Sequence, residues 1–218
     1  MKIFLDSADI KETEKYRHLI DGITTNPSLI AKSCNQVYSE WLDTVVHLVN
    51  GPISVEVISS KCDEMISEAR KIADIAENIV IKIPMTEDGL RATRELRDLN
   101  IKTNVTLIFS PNQALLAAKA GATYASIFVG RLDDIGYAGM DVVRTVVSLY
   151  REYHYPTEVI TASIRHPLHV IEAAKAGSHI ATIPANVMSQ LVRHPLTDIG
   201  LQQFLNDWGR FQCAKKGC

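Results

Sequence analysis

Eight short apolar runs, each followed by a segment of helical character, constrain this chain more than any other feature. The runs are Ile3–Leu5, Gly22–Thr24, Ile53–Val57, Ile79–Ile83, Lys102–Thr106, Tyr124–Phe128, Glu158–Thr161 and His179–Thr182. Between them, apolar residues recur at spacings of three and four, which places them on one helix face. Val37, Trp41, Leu42, Val45, Val46 and Val49 form one such face, and Cys62, Met65, Ile66, Ala69, Ile72, Ala73 and Ala76 the next. The segments Asp134–Tyr150 and Leu168–Ala174 continue the alternation, and Asn50-Gly51-Pro52, Lys119-Ala120-Gly121 and Lys175-Ala176-Gly177 supply stop signals. Strands alternating with helices predict a parallel sheet. An open doubly wound sheet is the competing architecture. Eight repeats, and no GxGxxG after the first strand, favour closure into an α/β fold of the (β/α)8 TIM-barrel type.

At 218 residues and 46% hydrophobic, the chain can bury the core of one barrel. With no Pro/Gly/Ser-rich linker, residues 1–218 read as a single domain closed by an additional C-terminal helix over about 195–216. That helix carries Leu201, Phe204, Leu205, Trp208 and Phe211. Its apolar face exceeds what a lone terminal helix exposes, so it calls for cover from a neighbouring subunit or from its own barrel. A formal charge of -2 gives no reason to expect nucleic acid or an anionic membrane as partner. No apolar run approaches the ~20 residues of a membrane helix. The first residues meet a carboxylate at Asp6, which leaves no room for the apolar stretch of a signal peptide and predicts a cytoplasmic protein. Cys34, Cys62, Cys213 and Cys218 form no CxxC pair and read as reduced thiols.

A barrel carries its reactive groups at the C-terminal ends of its strands. Here those ends offer Asp6, Asn26, Glu56, Lys82, Asn104 with Thr106, Ser126 with Phe128, and Ser163 with Arg165. Lys82 is the sharpest signal, because it interrupts Ile79-Val80-Ile81-Lys82-Ile83-Pro84, an otherwise unbroken apolar strand. A lysine in water titrates near ~10.4 and is too protonated to attack a carbonyl. Desolvation frees the amine lone pair for Schiff-base formation. The plainer reading is a structural lysine that snorkels or pairs with a carboxylate. Asp6 and Glu56 face the same mouth from separate strands. Two carboxylates near one amine can divide the proton transfers of an aldol reaction, although either can simply pair with Lys82, and Asp6-Ser7 also reads as an N-cap for Asp9–Lys15. Arg131, Ser163 and Arg165 supply the forked donors a phosphate needs; their ordinary alternative is surface pairing with Asp133 or Asp134. His166 and His169 have the i, i+3 spacing that can suit a metal, but no HExxH-type acid accompanies them, so they read as surface residues.

Across nearly its whole length the chain resembles the transaldolase family. The matching stretches are Phe4-Leu5-Asp6, Thr24-Thr25-Asn26-Pro27-Ser28, Val55-Glu56-Val57, Ile81-Lys82-Ile83-Pro84, Asn104-Val105-Thr106-Leu107, Ser126-Ile127-Phe128-Val129-Gly130-Arg131 and Ser163-Ile164-Arg165. The resemblance implies that Lys82 is the Schiff-base nucleophile and Asp6 the acid/base for the sugar hydroxyl. Glu56 then activates the catalytic water, with Thr106 helping to hold it. Asn26, Asn104 and Ser126 hydrogen-bond a dihydroxyacetone unit, while Arg131, Ser163 and Arg165 grip phosphate. The implied reaction moves that unit from fructose 6-phosphate or sedoheptulose 7-phosphate to erythrose 4-phosphate or glyceraldehyde 3-phosphate, within the non-oxidative pentose phosphate pathway. It needs no metal or organic cofactor. The short length resembles the compact subfamily, often pentamer-based decamers, that also contains fructose-6-phosphate aldolase, which releases free dihydroxyacetone. That enzyme would have Gln at Glu56 and Tyr at Phe128; both positions here resemble transaldolase.

Overall fold

The computed structural model describes residues 1–33 and 38–216, so Cys34, Val37 and Cys218 lie outside the described residues. The first half of the chain runs β1 (Lys2–Asp6), α1 (Ile10–Tyr16), β2 (Gly22–Thr24), α2 (Pro27–Ser33), α3 (Tyr38–Leu48), β3 (Ile53–Glu56), α4 (Cys62–Ala73), β4 (Ile79–Pro84) and α5 (Glu87–Asp98). It continues with β5 (Thr103–Ile108), α6 (Pro111–Ala120), β6 (Tyr124–Phe128), α7 (Val129–Asp133), α8 (Gly139–Glu152), β7 (Glu158–Ala162), α9 (Pro167–Ala176), β8 (Ile180–Ile183), α10 (Ala185–Leu191) and α11 (Pro195–Lys216). The eight strands pair in sequence order and close β8 onto β1, all parallel, so the fold is the expected (β/α)8 barrel with a C-terminal helix. Every strand lies within two residues of its predicted bounds.

The strand period of two divides the apolar residues between two cores. Outward-facing Leu5, Ile23, Val55, Ile81, Ile83, Val105 and Ile127 are buried against helix residues such as Trp41, Met65, Leu96 and Val143. Each such side chain contributes about 1.5–3 kcal/mol relative to exposure. The barrel interior is filled by Phe4, Val80, Tyr124, Ile160, Ala162 and Ile180, with Phe128 packed above them. Two residues further along the same strands come Asp6 after Phe4, Lys82 after Val80, Ser126 after Tyr124, and Thr182 after Ile180. These four inward columns therefore pass from an apolar plug to polar groups near the C-terminal mouth.

Helix ends follow the residues that can make them. Gly121 (φ 91°) and Gly177 (φ 76°) end α6 and α9 in the left-handed conformation, as the two Lys-Ala-Gly signals predict. Two expectations are corrected. The cap of α1 is Asp9, whose side chain accepts from the Lys11 and Glu12 amides, so Asp6 is released for the barrel mouth. The stretch expected as one helix from Asp134 is broken by a turn at Gly136 (φ 81°), and α8 begins only at Gly139. On β5 the register to β6 slips between Val105 and Ile108, where Leu107 adopts φ 60°.

Cys62 is buried and Cys213 exposed, both as free thiols. No helix among the described residues is long and apolar enough to cross a membrane. Helix α11 leaves Leu196, Ile199, Leu201, Phe204, Leu205, Trp208 and Phe211 exposed, so it does not lie on its own barrel.

Candidate active site

Parallel register sets the centre of the site. β3 and β4 pair Glu56 directly opposite Lys82, and β4 and β5 pair Lys82 opposite Asn104. Lys82 is only 4% exposed. Its Nζ lies 3.0 Å from Glu56 Oε2 and donates to the Thr25 carbonyl at 2.9 Å. Burial of a lone ammonium is costly unless it is paired and hydrogen-bonded, and both conditions are met. A neighbouring carboxylate can also take the ammonium proton and leave a free amine facing the mouth.

Asp6 belongs to the same group. It pairs with Thr24 across β1 and β2, and the Thr24 hydroxyl donates to its carboxylate at 2.9 Å. Thr24 Oγ1 lies 2.5 Å from Thr182 Oγ1, so two hydroxyls back the carboxylate across the barrel. Burial pushes the Asp6 carboxyl above its ordinary value of 3.8, and the Glu56 charge adds to that; Lys82 and the Thr24 hydrogen bond pull the other way. An acid held in this state suits proton exchange with a substrate hydroxyl.

A cavity of about 460 Å³ opens above these groups. Eight of the eleven predicted residues line it: Asp6, Asn26, Lys82, Ser126, Phe128, Arg131, Ser163 and Arg165. The remaining three, Glu56, Asn104 and Thr106, are not among its lining residues. Glu56 reaches the site through Lys82. Asn104 is fully buried, accepting from the Ser126 hydroxyl at 2.7 Å and donating to Ser54 Oγ at 3.1 Å, so it holds Ser126 from below. Thr106 is also fully buried, and its hydroxyl has no hydrogen-bond partner among the described residues. A buried hydroxyl without a protein partner is a group that an ordered water can satisfy.

The far wall of the cavity is basic. Arg131 on α7 places its guanidinium 5.1 Å from the centre of the Phe128 ring. Arg165 follows β7 and pairs with Asp134 at 3.0 Å, the surface ion pair that was its alternative reading, while still lining the cavity. Ser163, two residues before Arg165, adopts φ 59°, a strained conformation for a residue other than glycine. Its carbonyl accepts from the Gly130 amide at 3.1 Å, tying the β7–α9 loop to α7.

The histidine pair departs from expectation. His166 is exposed, but His169 is buried at 5%, with Nε2 2.7 Å from Asp133 Oδ2 and Nδ1 accepting from the Arg165 amide at 3.2 Å. Sequence reasoning also left Thr24 and Thr182 without a role. Thr24 could have been found, since it stands two residues before Asn26 on the same strand end. His169 could not: its partner Asp133 is distant in sequence.

Comparison with known proteins points the same way. Residues 3–214 match the Transaldolase/Fructose-6-phosphate aldolase family. A protein of Caldicellulosiruptor saccharolyticus named "Probable transaldolase" is 57% identical over 95% of this chain and 97% of its own. A protein of the same name from Thermodesulfovibrio yellowstonii is 54% identical over 97% of this chain and 100% of its own. "Probable transaldolase 1" of Listeria monocytogenes is 52% identical over 99% of this chain and its own full length.

Proposed function

The chain belongs to the Transaldolase/Fructose-6-phosphate aldolase family, and from that premise we propose that it is a transaldolase working through a Lys82 Schiff base. The observation that carries this reading is the buried Lys82 amine, 3.0 Å from Glu56, at the floor of a cavity rimmed by two arginines. Lys82 passes its proton to Glu56 and adds through Nζ to the C2 carbonyl of fructose 6-phosphate or sedoheptulose 7-phosphate. The carbinolamine loses water with help from Glu56, and Thr106 holds that water. Asp6 then takes the proton of the C4 hydroxyl as the C3–C4 bond breaks. The bonding pair moves onto the iminium nitrogen to give an enamine, and an aldose phosphate departs. The enamine C3 attacks the aldehyde of glyceraldehyde 3-phosphate or erythrose 4-phosphate, Asp6 returns a proton to the new hydroxyl, and water hydrolyses the imine.

In this reading Asn26 and Ser126, with Asn104 beneath, hold the dihydroxyacetone unit, and Arg131, Ser163 and Arg165 take the phosphate. The lysine is the electron sink, so the reaction calls for no metal or organic cofactor. Phe128 decides between transfer and release. A phenol there would hydrogen-bond water near the covalent intermediate and promote its hydrolysis; a phenyl ring cannot. We also propose a cytoplasmic homo-oligomer of the non-oxidative pentose phosphate pathway in which α11 packs on a neighbouring subunit, because its apolar side chains are exposed on the single chain. The test is fructose 6-phosphate turnover with and without erythrose 4-phosphate. Steady release of glyceraldehyde 3-phosphate that requires the acceptor is expected; release without it makes the protein an aldolase.

A further inference from the structure

His169 is a buried titratable group that takes no part in the proposed reaction. It lies in the first turn of α9, behind the basic wall of the cavity, and its two ring nitrogens face different loops. Nδ1 accepts the Arg165 amide at 3.2 Å, so the ring proton must be on Nε2, and Nε2–H donates to Asp133 Oδ2 at 2.7 Å. The other oxygen of Asp133 accepts the Gly139 amide at 2.9 Å, at the start of α8. Asp133 also ends the single turn that carries Arg131, and its neighbour Asp134 holds the Arg165 guanidinium at 3.0 Å. One imidazole and one carboxylate thus connect the Arg165 backbone, the Arg131 helix and the first residue of α8. Burial, His166 and Arg165 push the His169 pKa down against the pull of Asp133, in keeping with the neutral tautomer that these contacts require.

We infer that the His169–Asp133 pair is a positioning device that fixes the spacing of the two arginine-bearing loops, and so determines how well the site takes the phosphate end of its sugars. This rests on the reading of Arg131 and Arg165 as the phosphate grip. Two fork-shaped cations converging on one phosphate contribute fully only when their separation is held, because bidentate contacts are geometrically demanding. The dihydroxyacetone end, bound near Lys82 on the opposite side of the mouth, does not depend on that spacing. The plainer alternative is that His169 merely caps α9, which predicts lost stability and no effect on one end of the substrate in particular.

Asp133→Asn is the informative variant, since it is nearly isosteric and leaves no cavity. If the Asn oxygen keeps the Gly139 amide, its NH2 faces Nε2–H, two donors together. If the amide flips, the same conflict moves to Gly139. A shift of the ring proton to Nδ1 only transfers the conflict to the Arg165 amide. One link is lost in every arrangement. His169→Leu removes both links of the ring, and His169→Gln offers an oxygen and an NH2 that restore part of them. The readouts are KM for fructose 6-phosphate with erythrose 4-phosphate as acceptor, and the concentration dependence of borohydride capture of dihydroxyacetone, which has no phosphate. Arg165→Ala serves as reference. Asp133→Asn and His169→Leu should raise KM on the order of tenfold, leave dihydroxyacetone capture unchanged, and be partly reversed in His169→Gln. If Arg165→Ala raises KM while the Asp133 and His169 variants only lower Tm, the positioning role is refuted and the grip stands. If KM and dihydroxyacetone capture worsen together, the pair supports the whole barrel and the inference is again wrong. If Arg165→Ala leaves KM untouched, the phosphate grip falls, and this inference with it.

Discussion

Gly130→Ala offers a direct measure of how tightly the basic wall is built. Gly130 lies in α7 one residue before Arg131, and its amide donates to the Ser163 carbonyl at 3.1 Å. A Cβ at this position would sit 2.2 Å from that carbonyl oxygen and 2.7 Å from both Cγ and Nε of Arg165. Ordinary contact needs more than 1 Å of additional space at the carbonyl, and the obstacle there is backbone, which cannot rotate away. Either α7 or the Ser163–Arg165 loop must retreat. Overpacking of this kind costs about 1–3 kcal/mol, which in a chain of this size lowers Tm by about 2–4 °C per kcal/mol. The second consequence falls on binding. Loss of one charged hydrogen bond to phosphate is worth about 1.5–3 kcal/mol, or roughly ten- to a hundredfold in KM for fructose 6-phosphate. Lys82 lies on β4, away from this loop, so borohydride capture of dihydroxyacetone should keep its half-saturating concentration. Steady-state kinetics, adduct mass and a thermal melt on one preparation decide the matter. A lowered Tm with unchanged KM would show that the loop moves without consequence for the substrate, and the assignment of Arg165 to phosphate would be wrong. An unchanged Tm would mean that the contact at Ser163 is looser than these distances require.

Lys82→Met should abolish the borohydride-trapped adduct and turnover together, and full activity in that variant would remove the Schiff base from the account. Phe128→Tyr should raise release of free dihydroxyacetone relative to transfer, measured with and without acceptor; an unchanged ratio would mean that water at this wall does not govern hydrolysis. Because burial raises the Asp6 pKa above 3.8, the folded chain binds this proton more tightly than the unfolded one, and ionised Asp6 costs stability as pH rises through that window. Asp6→Asn should therefore melt higher than wild type at neutral pH while losing turnover, with the gain shrinking as pH falls toward 3.8; a pH-independent gain would contradict the burial. Deleting residues from Pro195 onward should lower the number of subunits per particle in light scattering, and an unchanged number would refute packing of α11 on a neighbour.

The alternation of the inward columns explains how much of this site was legible beforehand. A barrel strand that begins with an inward apolar residue must present its inward side chain again two positions later, nearer the mouth. A charged residue in that place, as Lys82 is after Val80, cannot be core filling without a partner. Its oddity is visible in sequence because every neighbour is apolar, and the same logic marks Asp6 after Phe4. Gly121 and Gly177 were legible for a comparable reason, since only glycine readily takes the φ that each helix end needs. What stayed hidden depends on atoms that residue identity does not distinguish. The Thr25 group that holds Lys82 is its backbone carbonyl, which any residue would supply. Asn104 is a substrate ligand only by the family resemblance, and the contacts its amide makes to Ser54 and Ser126 within the barrel are not visible in the sequence. His169 reads as a surface residue because no HExxH-type acid accompanies the histidine pair, whereas the group that draws it inward, Asp133, is 36 positions away. Candidate catalytic residues such as Lys82 and Asp6 betray themselves by being out of place on their own strand, while residues that hold them are ordinary in sequence and become specific only when the closed barrel brings distant loops together.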